Sequence, residues 1–134
     1  MQLTQYTDYG LRTLIALGLA QPRSMTVAQV SSAYDISRHH LVKIAARLAE
    51  LGYIQTLRGK GGGMRLARDP RQIRIGDVVR GMETELGVVE CLESGGGTCV
   101  IVPSCRLKPM LATATERFMD ELDAHTLADV LQPR

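Results

Sequence analysis

The chain has 134 residues, 45% of them hydrophobic, which suits one compact domain with an ordinary buried core. It has no run of eighteen apolar residues, and Asp8 and Arg12 interrupt its first helix-like stretch, so neither a membrane span nor a secretory signal is expected and a cytoplasmic protein is. The formal net charge of +2 hides an asymmetry: residues 1–80 hold twelve Lys/Arg against five Asp/Glu, or +7, and residues 81–134 hold four against nine, or −5.

A basic segment of a folded domain commonly faces phosphate, because neutralising phosphates releases counterions from nucleic acid. Aromatic residues are only 4% of the chain and tryptophan is absent, which argues against base-stacking platforms for single strands or RNA. Double-stranded DNA is the expected partner.

In chain order, Leu3, Tyr6, Gly10, Leu14 and Leu17 recur at helical spacing before Pro22, predicting a first amphipathic helix over 3–20. Thr26 followed by Gln29 has the form of a capping box, and Val27, Val30 and Tyr34 give a short second helix its apolar face. After a brief turn at Asp35-Ile36, Ser37 is placed to cap a third helix. Leu41, Ile44, Ala45, Leu48 and Leu51 form the inward stripe of that helix, and Gly52 suits the left-handed residue at its end. Two short helices joined this tightly make a helix-turn-helix pattern. The outward face of the third helix carries Arg38, His39, Lys43 and Arg47, with His40 beside them. Its N-terminal part is the end that meets base edges when such a helix enters the major groove.

Residues 53–57 and 64–66 alternate like strands on either side of Arg58-Gly59-Lys60-Gly61-Gly62-Gly63. A helix-turn-helix followed by such a hairpin is a winged helix. Arg58, Lys60 and Arg65 would reach phosphate or the minor groove, and glycines such as Gly62 and Gly63 would let the backbone approach the duplex. An ordinary hairpin turn is the competing explanation for the glycines.

Ile73–Met82 reads as a short core helix. Leu107, Leu111, Ala114, Phe118 and Leu122 then predict a long one, which Pro109 requires to begin near Arg106, and Thr126–Leu131 caps a last turn. A long helix in so small a domain exposes more apolar surface than its own subunit covers, and a homodimer reading a palindromic site is the natural outlet. The expected architecture is mainly α: a winged helix-turn-helix over residues 1–80, then a cysteine loop and dimerisation helix over 81–134, in one compact unit.

The three cysteines, Cys91, Cys99 and Cys105, all lie in fifteen residues that include Gly95-Gly96-Gly97. In a reducing compartment clustered thiols point to a metal, a cluster or redox chemistry. The spacings lack the paired CxxC pattern of zinc knuckles, so an iron-sulfur cluster, a zinc ion and a thiol redox switch stay open, beside three thiols that hold nothing. No paired carboxylates or Ser-His-Asp motif suggests an enzyme, and His125 stands alone.

The stretch MQLTQYTDYGLR at 1–12, SRHHLVKI at 37–44, RGKGGGMRL at 58–66, IRIGDVV at 73–79, the three cysteines and Thr126-Leu127-Ala128-Asp129 together resemble the nitric-oxide-sensitive branch of the bacterial winged-helix iron-sulfur regulators. The resemblance spans nearly the whole chain. It implies a repressor that binds palindromic operator DNA as a homodimer and is released when nitric oxide modifies its 4Fe-4S or 2Fe-2S cluster. Cys91, Cys99 and Cys105 would hold that cluster with Asp8 from the partner subunit. The IscR branch of the family instead uses a histidine three residues after the last cysteine, where this chain has Lys108. Asp8 otherwise serves as a first-turn carboxylate set against the helix dipole.

Overall fold

A computed structural model describes residues 1–59 and 62–133. The described residues form six α-helices and a two-stranded hairpin that packs on the first and third of them: α1 Gln5–Ala20, α2 Val27–Tyr34, α3 Arg38–Glu50, β1 Ile54–Leu57, β2 Gly63–Leu66, α4 Ile75–Met82, α5 Leu107–Asp123 and α6 Leu127–Leu131. Helix α1 begins two residues later than its apolar spacing suggests, because Thr4 is its cap: the Thr4 hydroxyl accepts from the Thr7 amide at 3.3 Å. Its inward face is Thr7, Gly10, Thr13, Leu14, Ala16 and Leu17, and the Thr13 hydroxyl meets its hydrogen-bonding need at the Tyr9 carbonyl.

The capping box of α2 is formed as expected, with the Gln29 amide donating to the Thr26 hydroxyl at 3.1 Å and the Thr26 amide to the Gln29 side chain at 2.9 Å. Asp35 ends α2 in the left-handed region, which turns the chain and drops Ile36 into the core ahead of α3. Leu41, Ile44, Ala45 and Leu48 bury the inner stripe of α3, and Gly52 follows with φ +84°. Ser37 stands at the N-cap of α3, but its hydroxyl makes no capping bond, a departure from the role its sequence position suggests.

Strands β1 and β2 pair antiparallel from Ile54 opposite Leu66 to Leu57 opposite Gly63, and Ile54, Met64 and Leu66 face the core. A bridge between Met25 and Met64 ties the hairpin to the segment before α2. Gly63, at φ +136°, lies so near that a Cβ there would come within 2.7 Å of the Met25 carbonyl oxygen.

Helix α4 inserts Ile75, Val78 and Met82 into the same core, with Val79 also buried and Met82 packed against Gly10 of α1. The chain then runs irregularly from 83 to 106 with two short turns, Glu90–Leu92 and Val102–Ser104, before α5 starts where Pro109 requires. Arg80 of α4 holds Asp123 of α5 through two bonds of 2.7 Å. Helix α6 returns to the main body: Leu127 is fully buried, its amide bonds to the Ile73 carbonyl at 2.8 Å, and its cap includes a Thr126 amide bond to Asp129.

Met119 is the buried residue of the long helix, while Leu107, Met110 and Phe118, the last 39% exposed, leave the uncovered apolar surface that its spacing predicts. The pair between Arg80 and Asp123 ties α4 to α5 across 43 residues of sequence.

Candidate nucleic-acid interface and thiol segment

Burial of one stripe of α3 dictates what the other side presents. Ser37, Arg38, His39, His40 and Lys43 are all exposed on it, and the two histidine rings lie 6.2 Å apart. Arg47, expected on this basic face, is turned away. Its guanidinium donates twice to the Gly81 carbonyl, at 3.1 and 3.0 Å, and pairs with Glu50. Val42 on the same face is 56% exposed, an apolar side chain placed where water would surround it in the isolated chain. Its signal in the sequence is a valine outside the inward stripe of an otherwise polar helix face. Between α1 and α3 a cleft of about 190 Å³ is lined by Gln5, Tyr6, Tyr9, His40, Lys43 and Ile44.

In the hairpin Arg58 and Arg65 are exposed, and Lys60 lies outside the described residues. Arg65 faces Gln55 across the ladder, and with the Gln55 amide turned to present its oxygen the guanidinium donates to it at 2.7 and 3.0 Å. Gly62 and Gly63 have a local reason to be glycine. A Cβ on Gly62 would approach the Leu57 carbonyl oxygen to 2.5 Å, and Gly63 abuts Met25. The tight hairpin and its seat on the body therefore explain these two residues without a duplex.

The three cysteines are free thiols, Cys99 exposed and Cys91 and Cys105 half-buried. Their chemistry suits a thiophilic metal or cluster. Their arrangement does not assemble one: among the described residues no group of three or more His, Cys, Asp or Glu side chains is placed to hold a metal ion. Asp8, expected to complete a cluster in the partner subunit, is engaged within its own helix, where Arg12 donates to both carboxylate oxygens at 3.0 and 2.9 Å. That bond raises the Arg12 pKa still further, and Arg12 also stacks on Tyr9. The donor set is thus chemically apt and, in the single chain, not gathered.

The profile of the Rrf2 family, described as an iron-dependent transcriptional regulator, matches residues 3–133. The chain belongs to the Rrf2 family. Among curated Rrf2-type relatives, the HTH-type transcriptional regulator NsrR of Geobacillus kaustophilus is 49% identical over all of this chain and 92% of its own length. NsrR of Bacillus subtilis is 44% identical over 98% of this chain and 91% of its own length. Of solved structures, the global cysteine regulator CymR of B. subtilis superposes with a TM-score of 0.78 at 23% identity, covering 98% of this chain and 96% of that one. T. potens IscR gives 0.77 at 23%, covering 98% and 86%. These two likenesses establish the winged-helix fold with its long C-terminal helix. This Rrf2 protein is accordingly a DNA-binding transcriptional regulator of the NsrR type and not an enzyme. Among the described residues no helix is long and apolar enough to cross a membrane.

Proposed function

We propose that the chain represses transcription as a homodimer on a palindromic duplex operator, reading it with α3 and the hairpin and sensing through the thiol-bearing segment 83–106. In this division residues 1–80 supply the DNA-binding unit, and residues 81–134 the sensor and dimerisation unit. The observation that carries the DNA half is the exposed face of α3, where Ser37, Arg38, His39, His40 and Lys43 project from a helix whose other side is locked in the core. Arg58, Lys60 and Arg65 are assigned to phosphate or minor-groove contact, with Gly62 and Gly63 shaping the hairpin that carries them. Val42 joins the reading face as an apolar contact of the kind that packs on a thymine methyl.

Two readings of the thiols stand, each with its support. The likeness to NsrR and the iron in the family's description favour an iron-sulfur cluster, 4Fe-4S or 2Fe-2S, held by Cys91, Cys99, Cys105 and the partner's Asp8, with nitric oxide as the signal. Within one chain the ungathered thiols and the closed pair between Asp8 and Arg12 favour the cluster-free alternative in its thiol-oxidation form, a winged-helix regulator with a redox switch, while its zinc form would need the same gathering of donors that a cluster does. Iron, acid-labile sulfide and zinc analysis of anaerobically purified protein, paired with operator binding before and after nitric oxide, decides between them. Iron with sulfide and a nitric-oxide-dependent loss of binding establishes the cluster. Their absence, with binding that responds to thiol oxidation or chelation, establishes the alternative.

A further inference from the structure

Two carboxylates at the start of the irregular segment hold opposite parts of the molecule. Glu83, the C-cap of α4, accepts from the Thr4 amide at 2.7 Å with one oxygen and from the Thr4 hydroxyl at 3.0 Å with the other. Thr4 is the cap of α1, so the charge sits at the positive end of that helix. Two residues on, Glu85 accepts from the Ser94 amide at 3.1 Å and the Ser94 hydroxyl at 2.7 Å, closing a loop that contains Cys91.

That loop is tight. Leu92 and Glu93 bond back to the carbonyls of Val89 and Glu90, and a Cβ on Gly87 would come within 2.7 Å of the Leu92 backbone. Cys91 therefore lies inside a loop whose closure is made by Ser94 and Glu85. At the other end of the strap, α1 packs Gly10 against Met82 of α4 and Ile44 of α3, and Arg47 of α3 is bonded to Gly81, two residues before Glu83. The reading helix, the first turn of α1 and the loop of the first thiol all converge on residues 81–85.

We propose that Glu83 and Glu85 are positioning residues that couple the Cys91 loop to the DNA-reading head. Chemistry that displaces Cys91 is passed by Ser94 to Glu85, along one short stretch of backbone to Glu83, and from there to Thr4 and the packing of α1 on α3. The inference rests on segment 83–106 being the sensor, whatever the thiols hold.

The test uses the full chain, with iodoacetamide as the thiol probe and amide hydrogen exchange of residues 4–10 as the readout. In wild type, alkylation should speed exchange there by about fivefold. Glu83→Ala should exchange fast before alkylation and show no further response, whereas Glu83→Gln, whose amide still accepts from the Thr4 amide, should restore the response. Glu85→Ala should keep the basal exchange of wild type and lose the response. Unchanged exchange at residues 4–10 in alkylated wild type, or a full response in Glu85→Ala, overturns the coupling. A parallel measurement of operator affinity keeps the two ideas separate: transmitted exchange with unaltered affinity leaves the coupling standing and removes the sensing role of the segment.

Discussion

Arg47 and Lys43 sit one helical turn apart on α3, yet one is tied to the Gly81 carbonyl while the other projects into solvent. Periodicity fixes the inward stripe of α3 and so exposes Ser37, Arg38, His39, His40 and Lys43 correctly. It carries no information on a carbonyl 34 residues away that captures the next arginine. Different substitutions on this face should have different signatures. Lys43→Ala should weaken binding uniformly across sequences and lower the salt slope by about one, whereas a base-contacting Arg38 replaced by Ala should cost about 1–3 kcal/mol and relax specificity. Val42→Ala should selectively lose discrimination between an operator duplex and the same duplex with uracil for thymine, which lacks the methyl group. Anisotropy titrations at several salt concentrations check all three, and an equal loss for every sequence from each variant would contradict the assignment.

Among the elements, the capping box of α2 and the start of α5 were legible because their causes are local: a threonine and glutamine three residues apart, and a proline that must sit in a first turn. Thr26→Ala should accordingly lower stability by about 1 kcal/mol in a denaturant titration. The tie between α4 and α5 was not legible, because no local pattern contains a partner 43 residues away, as Asp123 is from Arg80. The Arg80 guanidinium holds the Asp123 carboxyl below the ordinary carboxylate value. A carboxyl with a depressed folded-state pKa contributes stability above its unfolded value, near 3.9, and that contribution is lost as pH falls through the lower folded value. Wild type should therefore lose melting temperature more steeply than Asp123→Asn between about pH 5 and pH 2. Parallel curves would mean that the pair adds nothing to the packing of α4 on α5. Gly76→Ala offers a neutral-pH counterpart, since a Cβ there would collide with the Asp123 carboxylate.

At the scale of the molecule, the sequence divides by charge at about residue 80, but the core does not. Leu127 is buried with Leu14, Leu41 and Ile73, and partly buried Leu122 and Leu131 pack on the same cluster, so α6 closes the body that begins with α1. Charge patterning reports surface and partner, whereas the core is set by which apolar side chains the chain can bring together. For the same reason the sequence groups three thiols within fifteen residues without gathering them in one chain: a glycine-rich stretch places residues near in sequence without fixing them near in space. The outer face of α5, with Met110 63% exposed beside Leu107 and Phe118, is the surface assigned to the proposed dimer. Met110→Glu combined with Phe118→Glu should give a folded monomer in sedimentation velocity with an unchanged helical spectrum. A dimer that persists would place the interface elsewhere.

The most direct measurement is an oxygen-free anisotropy titration of the 134-residue chain on a labelled inverted-repeat duplex from a promoter it controls, against a scrambled duplex of equal length and composition. Reading by α3 and the hairpin predicts binding to the repeat roughly a thousandfold tighter than to the scrambled duplex, with two protomers per site. Equal affinity for the two duplexes would contradict it.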